Sequence, residues 1–167
     1  MNADVRKKIL QRLTTRVSTG LMFVQLNYLD LHQTPDAAWI RNIYILLSFY
    51  TELLLKAIYV CENNLTSVGD LDKKLRTQGH DLNLIGSQIG KERLLKYGIN
   101  NVKKMKDHEY YIITDVGAFF VKDFNDIRYD FLDDKTRVLK GDEHQMFKTQ
   151  IVALNRVNAV LTGIAWY

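Results

Sequence analysis

The chain is poor in the residues that punctuate or cross-link a fold. It has one cysteine, Cys61, and one proline, Pro35, in 167 residues. A single cysteine excludes an intrachain disulfide and any multi-cysteine metal site. Cys61 falls on an apolar helical pattern and reads as a small core residue. Nine glycines and one proline leave long stretches without breakers, which favours helix. The four histidines, His32, His80, His108 and His144, are scattered and lack carboxylates at ligand spacing, so neither a metal nor a cofactor is expected. Glycine-rich phosphate loops and serine elbows are missing too. No uninterrupted apolar run approaches the roughly 18 residues that cross a bilayer. Asp4, Arg6, Lys7 and Lys8 arrive where a secretory leader would be apolar. The expectation is a soluble, cytoplasmic protein without membrane contact.

What is present is ordinary in bulk and uneven in detail. Apolar residues make up 47% and charged residues 25%, the profile of a globular chain long enough for one domain over residues 1–167. The formal net charge is +4, but residues 73–106 carry nine Lys/Arg against Asp81 and Glu92, a net +7. Residues 107–143 carry ten Asp/Glu against five Lys/Arg, a net −5. The basic stretch suits a phosphate-rich partner, a solvated connection, or the acidic stretch of a second copy.

Apolar spacing of three and four marks four long helices. The first covers about residues 3–31 through Val5, Ile9, Leu13, Val17, Leu21, Val24 and Tyr28. Thr34-Pro35 then reads as the cap and first position of a second helix carrying Ile40, Ile43, Leu47, Tyr50, Leu54 and Cys61, ending near Asn63-Asn64. Residues 67–98 are more broken: Ser67 caps a short helix and Asp81 another. Tyr110, Ile113, Gly117, Phe120, Phe124, Ile127 and Phe131 form the third long stripe. Tyr111-Ile112-Ile113-Thr114 has strand propensity alone, but it falls in register with that stripe and is assigned to helix. A polar connection from Asp133 to Gly141 follows. Asp142-x-x-Gln145 then opens a last helix carrying Phe147, Ile151, Leu154, Val157, Leu161 and Ile164. The expected fold is all-α: an antiparallel bundle of four long helices plus one or two short ones.

Charged residues inside core-like sequence are the candidate site. Glu52 and Lys56 stand one helical turn apart among Phe49, Leu53, Leu54 and Leu55. They can form an ordinary intrahelical pair, but a semi-buried carboxylate seeks a second partner. Arg128 is a candidate for that role, with Tyr129 as an aromatic wall or a hydroxyl. His80 and Asp81 sit where a helix begins; Asp81 suffices as a cap, and His80 can pack or meet a ligand phosphate.

Together these residues resemble the HEPN superfamily (higher eukaryotes and prokaryotes nucleotide-binding domains). The resemblance lies in Glu52-Leu-Leu-Leu-Lys56, in Gly79-His80-Asp81-Leu82-Asn83-Leu84-Ile85, and in Arg128-Tyr129, in that order across about residues 35–165. It implies a helical bundle, a homodimer, and binding of RNA or nucleotide through Glu52, Lys56, His80, Asp81, Arg128 and Tyr129. It also implies a place in a toxin–antitoxin or phage-defence system, with an antitoxin or nucleotidyltransferase as a further partner. Catalytic members are metal-independent endoribonucleases that use an arginine and a later histidine with four to six residues between them. Here Arg128 is followed by Tyr129 and Asp130, with no histidine in the next seven residues. The nearest match is Arg137 with His144, the catalytic pair if the chain is a nuclease. A binding module, a nuclease and a ligand-free interaction protein therefore stand as alternatives.

Overall fold

The computed structural model describes residues 1–29, 37–105, 109–122 and 142–166. Among them are six helices and one three-stranded sheet. Helix α1 spans Ala3–Leu29 and α2 spans Ala37–Glu62. Three short helices follow, α3 (Val68–Gln78), α4 (Leu82–Ile89) and α5 (Lys91–Leu95). Strands β1 (Ile99–Lys104), β2 (Glu109–Thr114) and β3 (Gly117–Lys122) precede the last helix, α6 (Asp142–Trp166).

Helix α2 is the spine, in contact with α1, α4, α6 and β3. Leu47, Leu54, Leu55, Ala57, Ile58 and Val60 are buried around most of its circumference. The Arg41–Glu62 stretch has mean hydropathy 1.6 and is long and apolar enough to cross a membrane, with 61% of it buried inside the protein. Composition alone thus permits a span where none was expected, and burial among three helices and a strand accounts for the apolar character. Helix α1 runs antiparallel to α6, since Gln11 donates to the Ala165 carbonyl (3.1 Å) while Asn158 donates to Ser18 Oγ (2.7 Å). Against α2, α1 approaches closely at Gly20, where an added Cβ would lie 2.0 Å from the Tyr50 ring. The chain's amino terminus donates to the Leu65 and Thr66 carbonyls, tying α1 to the loop after α2.

The expected all-α bundle is overturned in one region. The Tyr110–Phe131 stripe is not a helix where it is described; residues 109–122 form the β2–β3 hairpin. Burial there follows the period of two: Tyr110, Ile112 and Thr114 point inward, as do Phe119 and Val121. The helical stripe drew Tyr110 from one face of this sheet and Ile113 and Phe120 from the other. Asp115-Val116 make a two-residue turn, braced by Thr114 Oγ1 donating to the Gly117 carbonyl (2.7 Å). Gly117 has φ +140, a conformation that no helix contains and that side chains rarely adopt. Strand β1 falls in a stretch assigned to no element; it pairs antiparallel with β2 through an irregularity between Ile99 and Asn101. The architecture is therefore mixed α/β, with the sheet packed by its inner face on α2 and α6. There Ile112 and Phe119 meet Leu54, Leu55, Ala153, Leu154 and Val157 around a cavity of about 10 Å³, too small to hold a ligand.

The other expected elements form close to their expected ends. Ser67 caps α3 by accepting from Asp70 N–H (3.0 Å), and Asp81 caps α4 by accepting from Leu84 N–H (3.0 Å). Phe147, Ile151, Leu154, Val157 and Leu161 are buried on α6, but Ile164 is 47% exposed and Ala165 takes the inward place. Cys61 is half-buried rather than fully enclosed. Thr34-Pro35, Phe124, Ile127, Phe131 and the Asp133–Gly141 connection lie outside the described residues.

Candidate functional site

Glu52 is the anchor of the site. It projects from the middle of α2 and is 5% exposed. An ionised carboxylate at that depth is costly unless both oxygens find donors. Both do: Lys56 Nζ lies 2.6 Å from Oε1 and His80 Nδ1 lies 2.8 Å from Oε2. The lysine is in reach because it follows by one helical turn. The histidine is in reach because α3 stops in time. Gly79 takes φ +56 and closes α3 with N–H bonds to the Leu75 and Arg76 carbonyls, which turns His80 back toward α2. An ionised carboxylate only accepts, so the Glu52 bond places a proton on His80 Nδ1.

The next residue along the chain reaches the sheet. Asp81 accepts from Leu84 N–H with one oxygen and meets Lys104 Nζ at 3.3 Å with the other. Burial opposes ionisation of Asp81, but the Leu84 N–H bond and the Lys104 ammonium outweigh it and hold the carboxyl below its ordinary range. Its oxygens are thus committed to the α4 N-terminus and to β1, a structural role that leaves little for a phosphate at that helix end. Gln78, the last residue of α3, is 2% exposed and donates to Gln88 Oε1 (2.6 Å), while its own side-chain carbonyl oxygen has no protein partner.

Of the expected site residues, Glu52, Lys56, His80 and Asp81 come together. Arg128, Tyr129 and Arg137 lie outside the described residues, as does the side chain of His144, whose backbone is in the first turn of α6. Lys104 was not expected; its only sequence signal was membership of the basic 73–106 stretch. Exposure rises outward from Glu52, with side-chain values of 6% for Glu52, 15% for Lys56, 36% for His80 and 44% for Lys104. The cluster is a sunken carboxylate that holds nitrogen donors toward the surface. Among the described residues no three His, Cys, Asp or Glu side chains converge as metal ligands.

A second polar knot ties the end of α2 to α5. Tyr97 donates to Glu62 Oε1 (2.8 Å), and Lys96 and Arg93 reach the other oxygen at 3.3 and 3.9 Å. Burial, with the Cys61 thiol and the Glu62 carboxylate beside it, pushes the Tyr97 hydroxyl far above its ordinary range. Arg93 also donates to the Glu62 carbonyl (3.0 Å), satisfying an orphan acceptor at the helix end. Comparison with protein-family models, curated proteins and solved structures finds no match.

Proposed function

We propose that the chain is a nucleotide- or RNA-binding module whose contact surface includes Lys56, His80 and Lys104, positioned by Glu52 and Asp81. The observation that carries this reading is the graded exposure of the cluster. A buried carboxylate fixes two nitrogen donors, Lys56 mostly enclosed and His80 nearer the surface, an arrangement suited to an anion such as a phosphodiester. The net +7 over residues 73–106 supports it by drawing polyanions toward the same part of the molecule. The order of the HEPN-like motifs supports it as well, without the all-α bundle that usually accompanies them. A homodimer, a cytoplasmic setting, an antitoxin or nucleotidyltransferase partner and a defence role belong to the same proposal.

The reading is tested by calorimetric titration with RNA and with nucleoside triphosphates. Lys56→Met and Lys104→Gln each weaken binding while the fold survives. Unchanged affinity in both variants would sink it. A metal-free cleavage assay separates the nuclease alternative, which requires RNA cleavage that disappears in His144→Ala.

One observation favours a different reading, that of an interaction protein with no ligand. Both Glu52 oxygens are already satisfied within the chain, so the cluster is sufficient as a clamp between α2 and the α3–α4 turn. That reading predicts large losses of stability in Glu52 variants and no shift in melting temperature with any nucleotide or RNA.

A further inference from the structure

The outward face of the sheet carries a second, independent surface. In an antiparallel pair, directly opposed residues share a face. Lys103 is opposite Tyr111, and Tyr111 is opposite Phe120. Asn101 faces Ile113, Ile113 faces Ala118, and Glu109 faces Lys122. Tyr110, Ile112, Phe119 and Val121 take the inner positions and are buried, so this set points away from the helices.

At its centre the Tyr111 and Phe120 rings lie 4.7 Å apart with planes inclined by 40°. Phe120 is 44% exposed, although phenylalanine has no polar tip that would gain from solvent. Lys103 is exposed directly beside Tyr111, and Lys122, two residues along β3 from Phe120 on the same face, lies 3.9 Å from Glu109. An exposed ring beside a half-buried one, with ammonium groups and an asparagine amide on the same face, matches the chemistry of an unpaired polynucleotide. Bases stack on the rings and phosphates lie against the lysines.

We propose that this face, Tyr111 and Phe120 with Lys103 and Lys122, is a stacking surface for single-stranded nucleic acid. Charge complementarity selects that occupant. On this face two lysines, Lys103 and Lys122, stand against one carboxylate, Glu109. A second copy of this same face would bring the same excess of lysine over glutamate. The proposal deepens the RNA-binding reading, yet it stands on residues that the Glu52 cluster does not share.

The test is fluorescence anisotropy of a labelled short oligouridylate with the full chain. Phe120→Thr keeps strand propensity and removes the ring; the expected result is about ten-fold weaker binding. Lys103→Gln lowers the salt slope by about one. Phe120→Trp guards against a folding defect, because a base stacked on the new indole quenches emission above the background of Trp39 and Trp166. Wild-type affinity in Phe120→Thr, or unquenched emission from Phe120→Trp at saturation, overturns the proposal. So does conversion of a dimer to a monomer by Phe120→Thr with RNA affinity unchanged, which assigns the face to self-association. Loss of binding in Lys56→Met but not in Phe120→Thr removes the sheet surface alone, and the reverse result removes the helical cluster alone.

Discussion

Glu52 shows how one residue organises its surroundings. Its burial demands donors, and the two it has come from different elements, so the pair of bonds fixes the α3–α4 turn on α2. The physics orders the variants. Lys56→Met with His80→Ala leaves a buried carboxylate without its two donors, at a cost of about 3–5 kcal/mol. Glu52→Gln leaves only Lys56 and His80, which are nearer to water, and costs about 1–2 kcal/mol. Urea unfolding should place Glu52→Gln closer to wild type than the double variant, and the opposite order would refute the role of burial. Asp81 and Tyr97 act at opposite ends of the pH scale. The Asp81 carboxyl is held below its ordinary range, so its contribution is present above the unfolded value and is lost as pH falls through the folded one. Asp81→Asn should therefore flatten the acid limb of the stability curve, read as melting temperature against pH. Tyr97 is pushed upward by burial, so its contribution is whole below the ordinary tyrosine range of about 10 and is lost as pH rises beyond it. Tyr97→Phe should lower stability at neutral pH through the lost bond to Glu62, yet lose less than wild type on the alkaline side.

At the scale of elements, the helices were legible because their evidence is redundant. In α2 the apolar pattern, the absence of glycine and the Glu52–Lys56 pair all agree. The caps of α3 and α4 were legible because Ser67 and Asp81 act locally, through atoms two or three residues away. The hairpin was not. Tyr110, Ile113, Gly117 and Phe120 satisfy a helical period, while Tyr110, Ile112 and Thr114 satisfy a strand period, and the sequence offers both. What decides between them is tertiary: an inner face that fits α2 and α6, and a turn that needs Gly117 at positive φ. Propensity pointed the right way in Tyr111-Ile112-Ile113-Thr114, and a long apparent periodicity overrode it. The close approach of α1 and α2 was equally invisible, since nothing in the sequence pairs Gly20 with Tyr50. Gly20→Ala forces a methyl into the Tyr50 ring and should destabilise by about 1–3 kcal/mol by thermal unfolding, with wild-type stability as the contradicting result.

For the whole molecule, α2 holds three things in place at once. It packs α1 and α6 on its flanks, supports the sheet through Leu54 and Leu55, and carries Glu52 toward the α3–α4 turn. The sheet, in turn, brings Lys104 to Asp81 and leaves Tyr111 and Phe120 outward. Four of the five residues of the helical cluster were readable, because Glu52, Lys56, His80 and Asp81 are conspicuous as charges in apolar sequence. The sheet surface was not, because its residues acquire a common face only once the strands pair. Proposed binding of single-stranded RNA through basic groups is common to both surfaces. It is tested most directly by equilibrium binding of the wild-type chain to an oligouridylate across a salt series. The expected result is that log K falls linearly with log salt, by about 0.7 for each phosphate neutralised. Binding that ignores salt, or no binding at low salt, would contradict it.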